Sequence, residues 1–110
     1  MYSDLQTFKA EFFRALAHPL RIRILECLGT KERSVQELQR LLDLDKPVVS
    51  QQLAVLRGKG IVVARKLGTT VRYAVRDPLI TQLLNTAREV FNHQFIGTQG
   101  MLRELRKEVR

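Results

Sequence analysis

A change of hydrophobic period near Gly60 places the strongest limit on how this chain folds. Before that residue, apolar side chains recur every three or four positions, which is the spacing of one face of a helix. After it, residues 71–76 read Val-Arg-Tyr-Ala-Val-Arg, the alternation of a half-buried strand. Gly68-Thr69 supplies a hairpin turn between this run and the β-branched residues 61–63. The sequence therefore predicts helices followed by a two-stranded hairpin.

Four helices are predicted before the hairpin, each from its own start and stop signals. The first spans residues 4–17, and the second is opened by Pro19 and stopped by Gly29. Ser34 and Glu37 have the spacing of a capping box, which starts the third helix, and Asp45 caps the fourth after a tight turn. The side chains predicted to face the core from the third and fourth helices are Val35, Leu38, Leu41, Leu42, Val49, Leu53 and Leu56.

A long final helix is predicted after the hairpin, capped by Asp77 and opened by Pro78. Its apolar stripe is too broad for one contact surface, so part of it is expected to face a second chain. The stripe consists of Leu79, Ile80, Leu83, Leu84, Ala87, Val90, Phe91 and Phe95. Residues 97–100, which begin and end with glycine, are expected to interrupt the helix. Residues 1–96 are therefore predicted to form one domain, and residues 97–110 a C-terminal extension with a short helix.

Length and composition exclude several classes of protein. A chain of 110 residues with 45% hydrophobic residues has the size and apolar content of one folded domain, too small for an enzyme with a separate cofactor domain. A single cysteine, Cys27, excludes a disulfide within the chain. No apolar run approaches the roughly 20 residues of a membrane-spanning helix, and the N-terminus lacks the layout of a signal peptide. We therefore expect a cytoplasmic protein with no membrane partner.

The positive charge is concentrated in the second half of the chain. The formal net charge is +8, of which residues 56–110 carry +7. Residues 46–76 contain seven basic residues and no acidic residue. A charge run is often only a solvated face, but a surface of one sign also attracts polyanions. Nucleic acid is therefore the expected partner.

Two short helices joined by a tight turn and followed by a basic hairpin predict a winged helix-turn-helix, a mostly helical α+β fold. In this arrangement the second helix of the pair enters the major groove of double-stranded DNA, and the hairpin, or wing, lies along the backbone. The predicted contacts from the fourth helix are Lys46, Val48, Ser50, Gln51, Ala54 and Arg57. Those from the wing are Arg65, Lys66, Thr69 and Arg72.

The residue types on the fourth helix suit different parts of DNA. Gln51 has the amide geometry to pair with an adenine edge, Ser50 either donates or accepts, and Val48 or Ala54 can pack on a thymine methyl group. Lys46, at the start of the helix, suits a phosphate. The alternative is a winged-helix module that binds another protein and no specific DNA, because fold alone does not determine function.

Three stretches resemble the arsenic-repressor-like (ArsR/SmtB) family of bacterial transcriptional regulators. They are residues 13–25 (FRALAHPLRIRIL), residues 47–57 (PVVSQQLAVLR) and residues 71–75 (VRYAV), and the resemblance covers residues 5–95. It implies a homodimer, paired through the first and last helices, that represses transcription from a palindromic operator and is released by a ligand. The dimer contacts that it implies are Leu5, Phe8, Phe12, Leu79, Leu83, Leu84, Ala87 and Phe91.

The metal-binding patterns of this family are incomplete in this chain. Residues 34–42, where relatives carry metal-binding cysteines, contain none. Other relatives bind a metal through four residues on the final helix, and the corresponding positions here are Asp77, Leu79, Val90 and His93. Two of these, Leu79 and Val90, are aliphatic and cannot bind a metal. We therefore predict no metal site, with Asp77 and His93 as weak candidates, and no cofactor. The inducing signal stays open between an organic ligand, oxidation at Cys27 and a sensing partner protein.

No arrangement of residues predicts catalysis. Ser50 has no evident general base, and the two histidines are 75 positions apart. The chain also lacks a glycine-rich phosphate loop. We therefore expect a DNA-binding protein and not an enzyme.

Overall fold

The computed structural model describes the backbone of residues 1–109 and the side chains of residues 1–94. Within these residues the chain forms five helices and three strands. They are α1 (Asp4–Leu16), α2 (Pro19–Leu28), β1 (Arg33–Ser34), α3 (Val35–Leu42), α4 (Lys46–Gly58), β2 (Val62–Leu67), β3 (Thr70–Val75) and α5 (Pro78–Val109). This order confirms the predicted winged helix-turn-helix, with α3 and α4 as the helix pair and the β2–β3 hairpin as the wing.

The core lies where α2, α3 and α4 meet the base of the wing. Val49, Leu53 and Leu56 of α4 are at most 1% exposed, as the apolar stripe of this helix predicted. The prediction for Leu41 of α3 is wrong, because this side chain is 52% exposed. It lies at the edge of the stripe formed by Leu38 and Leu42, and an eight-residue helix buries only the centre of that stripe.

Two of the three predicted helix caps form their hydrogen bonds, and the side chains of Ser3 and His18 cap α1 and α2 without having been predicted to do so. Ser34 Oγ accepts from the backbone N–H of Glu37 at 3.2 Å, and the Glu37 carboxylate accepts from the backbone N–H of Ser34, so the capping box is confirmed. Asp77 Oδ1 accepts from the N–H of Leu79 at 2.9 Å at the start of α5. Asp45 occupies the N-cap of α4, but its side chain makes no cap hydrogen bond with the described residues. Pro47 stands at the second position of α4 and has no N–H to donate.

A short strand adds to the hairpin and was not predicted. The described residues form one antiparallel sheet in the order β1-β3-β2, with Ser34 of β1 opposite Arg72 of β3. Two residues are too few to show a strand period, so this pairing leaves no signal in the sequence. The turn between β2 and β3 contains Gly68 with a φ of 63°, a conformation that favours glycine.

The last helix is longer than predicted. α5 continues without a break from Pro78 to Val109, so the interruption expected at residues 97–100 is wrong. Isolated glycines weaken a helix without necessarily ending it. The boundary predicted between residues 96 and 97 falls inside this helix and stays a prediction. Phe95 and the other side chains beyond residue 94 lie outside the described side chains. No helix in the described part of the chain is long and apolar enough to cross a membrane.

Candidate nucleic-acid interface

The predicted base-reading side chains share the solvent-facing side of α4. Because the buried stripe of this helix packs on the core, the opposite side is turned outward. Ser50 is half-buried beside that stripe, and Val48 is 40% exposed. The remaining predicted residues of α4 are all exposed: Lys46, Gln51, Ala54 and Arg57. The helix therefore presents a mixed cationic, amide and apolar surface of the kind that contacts DNA bases and backbone.

The wing divides its three predicted cations between two faces. Successive side chains of a strand point to opposite faces of a sheet. Arg65 lies opposite Arg72 in the hairpin register, so these two share a face, while Lys66 lies opposite Val71 on the other. The structure therefore does not bring Arg65, Lys66 and Arg72 together on one surface.

Arg65 and Arg72 of the wing are paired with two carboxylates, that of Glu32 before α3 and that of Glu37 in the first turn of α3. Arg65 donates from Nε and Nη2 to the two carboxylate oxygens of Glu32, at 2.9 and 2.6 Å. Arg72 donates from Nη1 to Glu37 Oε1 and from Nη2 to the backbone carbonyl of Glu32, both at 2.9 Å. This Glu32–Glu37 network ties the wing to the first turn of α3.

The network lowers the pKa values of both carboxyl groups. The hydrogen bond from Arg65 is the largest influence that lowers the pKa of Glu32. The backbone N–H of Ser34, followed by the guanidinium of Arg72, lowers the pKa of Glu37. Hydrogen bonds donated to a carboxylate stabilise its charged form. Both acids are therefore held ionised, directly beside the wing cations.

A cleft of about 290 Å³ separates the wing from the starts of α3 and α4. It is lined mainly by groups that donate hydrogen bonds, together with two valines: Val35, Gln36, Lys46, Ser50, Thr69, Thr70, Val71 and Tyr73. Lys46, Ser50 and Thr69 were predicted as contacts, whereas Gln36, Thr70 and Tyr73 were not. Of these three unpredicted lining residues, Thr70 could have been found from the sequence, because it adjoins Thr69 at the hairpin tip. The other two enter the cleft only because α3 packs beside β3.

Arg21 of α2 connects the end of α1 with α4 through hydrogen bonds to both helices. Its Nε donates to the carbonyl of Ala15 at 2.6 Å, and its Nη1 donates to Oε1 of Gln52 at 3.0 Å. Gln52 lies on α4 next to Gln51. A side chain of α2 that sequence reasoning did not single out is therefore bonded to α4 beside its outward face.

Large apolar side chains remain exposed on α1 and α5. Leu5 and Phe8 of α1 are 61% and 70% exposed, and Phe91 of α5 is 63% exposed. Leu79 and Leu83 are also exposed. By contrast, Phe12 and Leu84 pack in part against the core of the same chain, and Ala87 is half-buried. Phe13, which was not predicted as a dimer contact, is 55% exposed.

The candidate effector groups are dispersed. Asp77 is exposed and caps α5, and His93 is exposed on the same helix. Among the described residues, no group of three or more His, Cys, Asp or Glu side chains is placed to hold a metal ion. Cys27 is half-buried against the core, and its backbone carbonyl accepts from Arg33 Nε at 2.7 Å.

Comparison with known proteins places this geometry in a family. A family model described as "Helix-turn-helix domain" matches residues 16–65. The "Uncharacterized HTH-type transcriptional regulator Rv0081" of Mycobacterium tuberculosis is 45% identical over 103 residues, which are 93% of this chain and 90% of that protein. Its crystal structure matches with a TM-score of 0.80, over 88% of this chain and 98% of that one.

Two further relatives carry more specific descriptions. The "Transcriptional repressor SmtB homolog" of Synechocystis is 37% identical over 76% of this chain and 61% of its own length. The homodimeric winged helix-turn-helix DNA-binding domain Mb0332 of Mycobacterium bovis, a possible ArsR-family regulator, is 26% identical, with a TM-score of 0.77 over 86% of this chain and 91% of that one. The long match to Rv0081 shows an HTH-type transcriptional regulator, and the matches to the SmtB homolog and to the possible ArsR-family domain name the family. The chain therefore belongs to the ArsR/SmtB family of DNA-binding transcriptional regulators.

Proposed function

We propose that this protein is a repressor that binds as a homodimer to an inverted-repeat operator, with α4 in the major groove. The observation that carries the proposal is the exposed face of α4, which begins an acid-free stretch of chain and adjoins the cleft under the wing. A helix of this kind, with its apolar side buried and its outer side free of acids, is complementary to a groove lined by phosphates.

Within α4, the position of each side chain suggests its role. Gln51 is exposed in the middle of the helix, where a bidentate contact with an adenine edge is geometrically favoured. Val48 and Ala54 flank it as apolar contacts, and Ser50 lies at the edge of the cleft. Lys46 and Arg57, near the two ends of the helix, are proposed as phosphate contacts.

On the wing, the two faces suggest two roles. Lys66, exposed on the face opposite Arg65 and Arg72, is proposed to contact the backbone directly, as is Thr69 at the tip. Arg65 is a further phosphate contact once it leaves Glu32. Arg72 donates to two protein acceptors, so we propose that it acts mainly by holding the wing at its angle to α3.

The exposed apolar side chains of α1 and α5 are proposed to form the dimer interface. Burial of Leu5, Phe8, Leu79, Leu83 and Phe91 against a second copy would remove a large apolar surface from water. The homodimeric domain from Mycobacterium bovis supports this proposal. A two-fold axis would place the two α4 helices about one DNA turn, or a multiple, apart and would require an inverted repeat.

We further propose that the protein works in the cytoplasm, where chromosomal DNA is accessible, and that an effector ligand or a sensing partner protein controls release. The scattered positions of Asp77, His93 and Cys27 support an input other than a metal held by this chain alone. The signal would act by changing the spacing of the two α4 helices.

The test begins with sequencing of genomic fragments bound by the purified protein, followed by affinity measurements on the recovered operator and on a scrambled duplex. The Gln51→Ala variant is expected to lose about 1 to 3 kcal/mol on the operator, roughly 5- to 150-fold, and little on the scrambled duplex. The exposed Gln82 of α5 offers a matched Gln→Ala control, which should change neither affinity. Equal losses on both duplexes would remove Gln51 from base reading. Wild-type protein that shows no salt-dependent binding to any duplex would instead indicate a protein-binding module.

A further inference from the structure

Arg65 is held in a two-pronged contact with Glu32. Both carboxylate oxygens of Glu32 accept hydrogen bonds from the guanidinium, at 2.9 and 2.6 Å, although the Arg65 side chain is 56% exposed. A guanidinium binds a phosphate with the same parallel pair of hydrogen bonds that it uses for a carboxylate. In this structure Glu32 therefore occupies the position that a DNA phosphate would take on Arg65.

The position of Glu32 is set by the neighbouring strand. Arg72, directly opposite Arg65 in the hairpin, donates from Nη2 to the backbone carbonyl of Glu32 at 2.9 Å. Its Nη1 is held in turn by Glu37 in the capping box of α3. The backbone of Glu32 is thus held beside the wing, and its carboxylate meets Arg65 within a connected network.

We propose that Glu32 is a built-in competitor of DNA phosphate for Arg65 and that it thereby limits the affinity of the wing for DNA. This inference rests on the proposed function, because it requires the wing to approach a duplex. A phosphate that takes Arg65 must displace the carboxylate, and the displaced carboxylate then adds a negative charge near the DNA backbone. When a DNA phosphate replaces the Glu32 carboxylate on Arg65, fewer counterions leave the DNA than when a phosphate binds an unpaired arginine.

The Glu32→Gln variant isolates this effect. A glutamine keeps the backbone carbonyl that Arg72 uses and still offers an oxygen to Arg65, but it carries no charge to compete with phosphate. Glu89, exposed on α5, provides a matched Glu→Gln control with the same change in net charge. Thermal melting of each variant checks that the fold is retained.

The measurement is the affinity of the dimer for the recovered operator and for a scrambled duplex, across salt concentrations from about 0.05 to 0.3 M. Relative to Glu89→Gln, Glu32→Gln is expected to bind both duplexes about three- to tenfold more tightly near 0.1 M salt. Its plot of log affinity against log salt should be steeper by about 0.9. In an Arg65→Gln background, Glu32→Gln should have a smaller effect than in the wild-type background, because the contested cation is gone and only the charge of Glu32 beside Arg72 and the DNA is removed.

A Glu32→Ala variant tests the same contact by a second route. Alanine removes both the charge and the acceptor that pair with Arg65 and keeps the backbone carbonyl that accepts from Arg72, so this variant should also bind DNA more tightly than wild type, with a steeper salt dependence. If Glu32→Gln and Glu32→Ala both bind like wild type or more weakly, with unchanged salt dependence, Glu32 is only a structural partner and the inference is overturned. Wild-type protein that binds no duplex would overturn the proposed function itself, a result distinguishable from the first.

Discussion

Replacing Arg72 by lysine separates a positioning role for this residue from a direct contact with DNA. The Arg72 side chain is only 26% exposed, and its guanidinium donates in two directions, to Glu37 Oε1 and to the carbonyl of Glu32. Lysine keeps the charge but lacks the planar fork of two nitrogens, so it cannot reproduce both hydrogen bonds with the geometry that arginine provides. A phosphate contact would survive the substitution, because lysine also binds phosphate as a point charge.

The expected loss of stability follows from the lost hydrogen bond. A hydrogen bond that involves a charged group contributes about 1.5 to 3 kcal/mol, and water can replace part of it at this half-buried site, so we expect a loss of about 1 to 2 kcal/mol. For a domain of this length, that corresponds to a fall in Tm of about 4 to 8 °C. A wing released from α3 should also reduce operator affinity about three- to tenfold, because its phosphate contacts lose their fixed position.

The assay pairs thermal melting by circular dichroism with operator binding at one salt concentration. Arg88→Lys, an identical substitution at an exposed position of α5, is the control and should leave both the Tm and the operator affinity unchanged. Arg72→Lys with a Tm within about 1 °C of wild type and undiminished operator affinity would refute the positioning role.

Three further predictions concern pH, assembly and metals. The pKa values of Glu32 and Glu37 are lowered from the ordinary value of 4.5, so their contribution to stability is complete above that pH and is lost as the pH falls through their folded-state values. Melting curves from pH 7 to pH 3 should therefore show a smaller acid-induced loss for Glu37→Gln than for wild type, and identical profiles would contradict this. Phe8→Glu places a charge on the proposed dimer surface and should shift the protein to a monomer in light scattering, whereas a persistent dimer would place the interface elsewhere. Zinc, nickel or cobalt at low micromolar concentration should change operator affinity little; a calorimetric site tighter than about a micromolar with a tenfold change in operator affinity would refute this.

Most helix boundaries could be predicted because their signals are local. The capping box of α3 joins Ser34 to Glu37, three residues away, and Asp77 caps α5 through Leu79, two residues away. The buried stripe of α4 follows from helical periodicity alone, and with it the identity of the outward face. The wing could be predicted for the same reason, since the β-branched residues 61–63, the Gly68 turn and the alternation of residues 71–76 each span only a few positions. The candidate DNA-contacting side of α4 was therefore accessible from the sequence.

What the sequence could not show is how distant residues combine. The sequence shows Arg65 and Arg72 only as two positive charges of the wing. In the structure, Arg65 donates to the carboxylate of Glu32 and Arg72 to its backbone carbonyl. Glu32 precedes Arg65 by 33 positions and Arg72 by 40. No periodic pattern in the sequence predicts these contacts, because Glu32 lies next to the wing only where β1 pairs with β3 in the sheet. The periodicity and the capping residues of the sequence determined which surfaces this chain presents. The tertiary contacts decided which of its charges are already neutralised within the fold, because electrostatic pairing depends on distance in space and not on separation along the chain.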